Sequence, residues 1–389
     1  MYKPCSSASR STPSSISPNN TSFNLALNEV LWHNAARPHC NLDYTRRVLA
    51  HFSYFAFASE KTDLEKRNGM RAGDRLQLDS LLEMAGFVAV QAAQQISGRG
   101  FENRIYKITL IDGQELILRC YPQERPLETA RAKFLEQYDL PAPKLYACNE
   151  QAALFSYISG TLLGDLIESG LADDRVWQEL GRTFSQVHAI QFPQGVVGTI
   201  SAEGLNLSFR DPVEQLHSWI DQASVGLERR LPEIVELLPE LHRYVDLAAQ
   251  LLRQDRVSLG HGDINMWNTI INRDGAYLID WDFPVVTWPT SEIALLDKHA
   301  ALFNGIGLPE AFFQAYQPQL NRDLLLLYRV VHSLTWFASD DWDEFAQSEL
   351  PSEQIQRTRN WYEYLREYTK RLEDHLQILS KASFECKPG

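Results

Sequence analysis

The segment HGDINMWNTIINRDGAYLIDW, residues 261–281, decides how the rest of the chain is read. It sets His261, Asp263 and Asn268 in one short loop, with Asp280 twelve residues further on. Asp274-Gly275 is a turn signal, so the region from Thr269 to Asp280 is expected to be a short β region whose last strand, Ala276 to Ile279, ends at Asp280. A short loop puts the Asp263 carboxylate and the Asn268 amide at opposite edges of one site, and a strand end can hold the Asp280 carboxylate towards the same cleft. Hard oxygens of this kind suit magnesium, which normally keeps waters and phosphates as its other ligands.

Outward from this segment the chain changes character twice. From Leu76 to Gln95 an amphipathic helix is expected, with Leu78, Leu81, Leu82 and Ala85 on one face. Two strands follow, around Ile105 to Leu110 and Leu116 to Leu118, joined at Asp112-Gly113, a two-residue hairpin signal. A helix is expected after Pro126, ended by Pro141 and Pro143. A second hairpin has strands around Leu145 and from Leu154 to Ile158. Beyond Gly160 the period becomes helical, with Trp177, Leu180, Phe184, Val187 and Ile190 at three- and four-residue spacing. Residues 211–254 and roughly 291–380 carry more of the same patterning. The expected architecture is α+β: a small β-rich lobe over residues 71–158 and a larger, mainly helical lobe over residues 159–389, hinged near Ser156 to Gly160. Residues 1–70 are expected to be an N-terminal extension, partly disordered, because residues 1–22 are too poor in apolar side chains to offset the entropy of ordering. A natural extension and a start site assigned upstream of Met70 are both open readings.

A chain of 389 residues can bury a large core without disulfides or a structural metal. Its five cysteines, Cys5, Cys40, Cys120, Cys148 and Cys386, are scattered, odd in number and form no CxxC pair, which fits a reducing cytoplasm rather than a disulfide framework or zinc site. A net charge of −13 repels a phosphate backbone, so nucleic acid is not expected as a partner, whereas a cationic small molecule would be electrostatically welcome. The most apolar stretch, Leu324 to Trp336, is interrupted by Arg329 and His332 and is shorter than the roughly 20 residues a bilayer span needs. The polar N-terminus lacks the apolar core of a secretory signal. No membrane partner is expected, and a cytoplasmic location is.

The spacing from Asp263 to Asn268 equals that of the protein-kinase catalytic loop, where the Asp handles the proton of the nucleophile and the Asn binds a metal. HGDxxxxN with a downstream IDW resembles the catalytic motif and metal-binding Asp of the aminoglycoside phosphotransferase and choline kinase family, over about 300 residues from near Leu78 to about residue 370. The resemblance implies a bilobal, protein-kinase-like fold with ATP between the lobes. It implies transfer of the γ-phosphate to a hydroxyl of a small molecule, whether aminoglycoside-like, an amino alcohol or sugar-like. It implies Asp263 as catalytic base, His261 as a brace of the loop, and Asn268 and Asp280 as magnesium ligands. Ser97 to Asn103 resembles the family's loop over the nucleotide phosphates, with Gly98, Gly100 and Asn103 as binding residues. Glycines there let backbone N–H groups approach an anion closely, and no Gly-Lys-Ser/Thr follows, so it is not a Walker A loop. Arg119 stands where the family has a phosphate-binding lysine and offers a fork in place of a point charge, and Glu128 matches its partner. Phe155 to Ile158 takes the position of the hinge that meets the adenine edge. The alternative, a non-catalytic nucleotide-binding module, usually lacks the Asp, the Asn or the metal-binding Asp, and all three are present here.

One departure stands out. The family often has Gly-x-Pro-x-x-Asp-Leu after IDW, and this chain has Trp288-Pro289-Thr290-Ser291-Glu292-Ile293-Ala294, with Glu292 in place of the Asp. Other residues near the motifs have plain structural readings. His188 reads as a core or helix-end histidine, and Trp267, Trp281 and Trp288 as packing support. Asp282 reads either as a second carboxylate near the metal or as a local turn residue. The acidic, aromatic stretch from Trp336 to Phe345 reads either as a lip for a cationic substrate or as a helix end with buried aromatics.

Overall fold

The computed structural model describes residues 70–96, 103–124, 134–201, 204–230, 232–236, 238–304, 307–317 and 320–339. The expected N-terminal extension and the expected helical segment beyond residue 340 lie outside the described residues.

The first part of the fold is a helix on an antiparallel sheet. Helix α1 (Ala72–Ala85) precedes β1 (Val90–Gln95), β2 (Arg104–Leu110), β3 (Glu115–Cys120), β4 (Leu145–Cys148) and β5 (Ala152–Ser156), in the spatial order β1-β2-β3-β5-β4. Alternation decides which face is buried. Tyr106, Ile108 and Leu110 of β2 and Leu116, Leu118 and Cys120 of β3 point to one side, where they meet Leu78, Leu81 and Leu82 of α1. The β2–β3 turn closes as its sequence suggests: Gly113 adopts φ 84° and the Asp112 carboxylate accepts from the Gln114 N–H at 3.0 Å. Asp74 anchors α1 from below, accepting from the Arg104 guanidinium at 2.6 and 2.8 Å and from the Tyr106 hydroxyl at 2.7 Å.

The helix expected over residues 76–95 is shorter than its sequence suggests. Gly86 takes φ 71° and ends α1, and Val90–Gln95 forms the edge strand β1 instead, paired antiparallel with β2. Ala and Gln are good helix formers, so here the pairing offered by β2 overrides local propensity. The two hairpins expected on either side of residue 130 are present as β2–β3 and β4–β5.

The second part is mainly helical and runs from β6 (Thr161–Leu162) through α2 (Leu163–Glu168), α3 (Asp174–His188), β7 (Gln191–Phe192), β8 (Val196–Ser201), β9 (Gly204–Phe209), α4 (Pro212–Arg230), α5 (Pro232–Val235), α6 (Leu238–Leu247) and α7 (Ala249–Gln254). It continues through β10 (Val257–Gly260), β11 (Thr269–Ile271), β12 (Ala276–Leu278), β13 (Val285–Thr287), α8 (Pro289–Asn304), α9 (Glu310–Ala315) and α10 (Arg322–Ala338). The described elements are therefore α+β, a β-rich part followed by a larger, mainly helical one, as the sequence suggests. Helix α3 shows why the helical period was legible. Asp173 caps it by accepting from the Val176 N–H at 3.0 Å, and Val176, Trp177, Leu180, Phe184 and Val187 are buried along one face.

Two small sheets carry the motif segment. One has the order β12-β11-β6 and the other β7-β10-β13-β8-β9. The second sheet was not evident from the sequence, because runs as short as Val257–Gly260 and Val285–Thr287 have no readable period. Among the described residues, no helix is long and apolar enough to cross a membrane.

Candidate active site

The motif loop leaves β10 at Gly260 and is folded by its own side chains. The Asn265 amide oxygen accepts from the Trp267 N–H at 2.8 Å and the Asn268 N–H at 3.0 Å, closing a tight turn. That turn aims the Asn268 amide back at Asp263, where its Nδ2 donates to the backbone oxygen at 2.9 Å and to Oδ2 at 3.0 Å. The Asn268 Oδ1 is left as its acceptor atom. Asn265 Nδ2 lies 3.5 Å from Asp263 Oδ1, too long for a useful hydrogen bond. His261 ties the loop to the strand that leads into Asp280. Its Nε2 donates to the Ile279 carbonyl at 2.8 Å, its Nδ1 faces the Asp263 N–H at 3.3 Å, and its ring lies 4.6 Å from that of Trp281.

Gly262 is a position where glycine is required. It sits at φ 79°, and a Cβ there would run into the Phe283 carbonyl. Its N–H donates to Glu292 Oε1 at 3.0 Å. The other Glu292 oxygen lies 2.7 Å from His188 Nε2, and His188 Nδ1 lies 2.6 Å from the Tyr316 hydroxyl. His188 and Glu292 are both buried. A carboxylate at Nε2 requires a proton on that nitrogen. Burial pushes the Glu292 carboxyl up, but the hydrogen bond from His188 and the Gly262 N–H outweigh it, and its pKa is lowered. His188 is thus the buried histidine its sequence position suggests. Glu292 braces the loop, a connection that no local pattern announces.

Asp280 is the one described non-glycine residue with a positive φ, 64°. Such a backbone is unfavourable for a side-chain-bearing residue. It is held by Ile279 N–H donating to the Asn268 carbonyl at 2.9 Å and Asp282 N–H donating to the Asp280 carbonyl at 2.8 Å. The side chain keeps 37% of its surface exposed, yet Oδ1 is fully enclosed and has no hydrogen-bond partner. Arg119 Nη2 lies 2.8 Å from that oxygen, off the direction of its N–H bonds, so the two attract by charge without a directed hydrogen bond. The Asp280 pKa is raised to about 6, first by burial and then by the charges of Asp282 and Asp263, with Arg119 pulling the other way.

Arg119, on β3, is buried and reaches across to the motif segment. Its Nη1 and Nη2 donate to the two oxygens of Asp282 at 2.9 and 2.7 Å. With the Asn103 amide turned to suit its neighbours, the amide oxygen accepts from Nε at 2.9 Å and from Nη2 at 2.5 Å. The residues brought together are Arg119, Asn103, Asp280, Asp282, Asp263, Asn268 and His261. Gly98, Gly100 and Glu128 lie outside the described residues. So does the end of the Trp336 to Phe345 stretch; Trp336 and Phe337 are buried. Trp267, Trp281 and Trp288 are buried as well, consistent with packing.

The donor set fits magnesium. The Asp280 carboxylate has an enclosed oxygen that accepts no directed hydrogen bond and lies near enough to Asp263 and Asp282 to feel their charges, and carboxylate oxygens of this kind are the hard ligands such an ion takes. The buried Arg119 guanidinium beside it adds positive charge, but its fork, expected from the sequence to meet phosphates, is occupied by Asp282 and Asn103.

Residues 93–328 match the family model for the phosphotransferase enzyme family. No curated protein matches the chain. Among solved structures, a choline kinase from Cryptosporidium parvum Iowa II is 12% identical, with 77% of this chain and 97% of that one covered and a TM-score of 0.49. A putative fructosamine-3-kinase from Thermobifida fusca is 17% identical, with 72% and 98% covered and a TM-score of 0.47. A macrolide 2′-phosphotransferase from Brachybacterium faecium is 17% identical, with 71% and 99% covered and a TM-score of 0.48.

Proposed function

The chain belongs to the phosphotransferase enzyme family, and from that premise we propose that it moves the γ-phosphate of ATP to a hydroxyl of a small molecule, with Asp263 as the base. The family supports a small-molecule phosphotransferase. The single observation that carries the finer reading is the free Oδ1 of Asp263 beside an Asp280 whose enclosed oxygen has no hydrogen-bond donor.

In this reading Asn268 Nδ2 fixes Asp263 through Oδ2, so that Oδ1 is free to take the proton of an incoming hydroxyl. His261 and Glu292 hold the loop from both sides, and Asp280 and Asn268 would hold magnesium. Magnesium, when bound, neutralises charge on the β- and γ-phosphate oxygens. Arg119 would add positive charge near the phosphates, and the resemblance assigns Gly98, Gly100, Asn103 and Glu128 to nucleotide binding. The transition state of phosphoryl transfer is loose, so positioning and charge do most of the chemistry. We assign residues 71–158 to a nucleotide-binding lobe, residues 159–389 to a catalytic and acceptor-binding lobe, and residues 1–70 to an N-terminal extension. The acceptor classes that fit are aminoglycoside-like, amino alcohol or sugar-like hydroxyls, and the net charge of −13 favours a cationic one in the cytoplasm.

The test is a panel of such acceptors with γ-labelled ATP and purified full-length protein. Label should move to one class of acceptor, and only when magnesium is present. ATP binding without transfer to any of them, or transfer that ignores magnesium, would favour the non-catalytic nucleotide-binding module instead.

A further inference from the structure

The contacts around Arg119 assign Asp282 a task that neither the motif nor the family match gives it, and the inference rests on the metal-binding role proposed for Asp280. A guanidinium has five N–H bonds arranged along two usable edges. On Arg119 the Nη1–Nη2 edge is taken by Asp282, at 2.9 and 2.7 Å. With the Asn103 amide turned as above, its oxygen takes the Nε–Nη2 edge, at 2.9 and 2.5 Å. Both hydrogens of Nη2 are therefore committed, one to Asp282 and one to Asn103. Asp280 Oδ1, only 2.8 Å from that same nitrogen, receives neither. Two carboxylates lie against one buried guanidinium, and of the two only Asp282 receives directed hydrogen bonds from it.

We propose that Asp282 is a positioning residue: by holding the Nη1–Nη2 edge of Arg119, it limits Asp280 Oδ1 to a charge contact with that guanidinium and leaves the Asp280 carboxylate more readily taken up by a divalent cation. The turn that joins them makes the arrangement possible. Asp280 sits at φ 64°, its carbonyl accepts from the Asp282 N–H at 2.8 Å, and the two carboxylates reach the same guanidinium from adjacent positions. Without the Asp282 carboxylate one edge of Arg119 opens, and Asp280 is the carboxylate within reach to fill it. The ion would then have to displace an arginine from its own ligand. The competing reading makes Asp282 a metal ligand itself, and the two readings differ in how they depend on Arg119.

The experiment is a thermal-shift titration of magnesium at fixed non-hydrolysable ATP analogue, on full-length wild-type protein, Asp282→Asn, Arg119→Gln and the double variant. Asp282→Asn should raise the magnesium needed for half the shift by about tenfold or more, the scale of a charge-assisted hydrogen bond newly formed on the ligand. In the Arg119→Gln background the same change should move it by less than about threefold, because the competitor is gone. Asp282→Glu keeps the carboxylate and should stay within about threefold of wild type; it carries the test if Asp282→Asn does not melt cooperatively. A wild-type response in Asp282→Asn, or an Asp282→Glu protein weakened by about tenfold, overturns the proposal. So does an Asp282→Asn effect that persists undiminished without Arg119, which would make Asp282 a direct ligand. If the wild-type protein itself shows no magnesium-dependent shift, the functional reading fails and this inference with it.

Discussion

Replacing Glu292 by alanine should be one of the most damaging single changes outside the reacting groups. Glu292 accepts from the Gly262 N–H at 3.0 Å and pairs with His188 Nε2 at 2.7 Å, all in the buried interior. Alanine leaves two buried donors without partners, at about 1–3 kcal/mol each. Removing a buried carboxylate returns part of that through its own desolvation, so we expect a net loss of about 3–5 kcal/mol, the usual scale for breaking a buried pair from one side. The pH dependence gives a second signature. The Glu292 carboxyl titrates below its ordinary value of 4.5, so its stabilisation is fully present above that value and is lost as pH falls through the lower folded value. The difference between wild type and Glu292→Ala should therefore be largest near neutral pH and shrink in acid. Urea unfolding at about pH 7 and about pH 3.5 measures both quantities. Turnover should fall too, because Gly262 directly precedes Asp263. A loss below about 1 kcal/mol at neutral pH, or a loss that does not diminish in acid, would refute the claim that this carboxylate braces the loop.

Three further outcomes are expected. Asp280→Ala should abolish the magnesium-dependent thermal shift by nucleotide, because a carboxylate is the main protein anchor for a hydrated ion; an undiminished shift would count against the assignment. Asp255 has an enclosed Oδ2 without a hydrogen-bond partner, and burial raises its pKa from 3.8 to about 7 against the pull of Thr290. Because the unfolded chain ionises first, wild-type stability should fall as pH rises through that window; Asp255→Asn should then be more stable by up to about 4 kcal/mol near pH 8 and no better near pH 4, read as melting temperature against pH. A chain starting at Met70 should fold and keep the same kcat and KM for ATP, and a melting temperature lower by several degrees, about 1 kcal/mol or more, would show that the preceding residues belong to the fold.

What could be read from the sequence follows from how far apart the interacting residues stand. The Asp263 to Asn268 contact spans five positions, and the Asp112-Gly113 turn spans two, so both are written locally. The helical face of α3 is legible for the same reason. Residues 90–95 misled because their composition favours a helix while the strand they pair with, β2, starts only at Arg104. Asn265 was visible inside the motif, but its part in closing the turn depends on backbone geometry. Arg119 and Asp282 are 163 positions apart, and His188 and Glu292 are 104 apart. No spacing rule connects such pairs, and only the fold reveals that one carboxylate holds an arginine and another steadies the loop.

The central claim is that Asp263 acts on the acceptor's proton while other residues bind the nucleotide. Asp263→Asn separates the two, because the amide keeps the shape of the side chain and removes the base. Binding of ATP with magnesium should remain near wild type, while transfer of the γ-phosphate to the acceptor should fall by at least about a hundredfold, the usual scale for losing acid–base catalysis. Near-normal transfer by Asp263→Asn, with binding intact, would contradict the account.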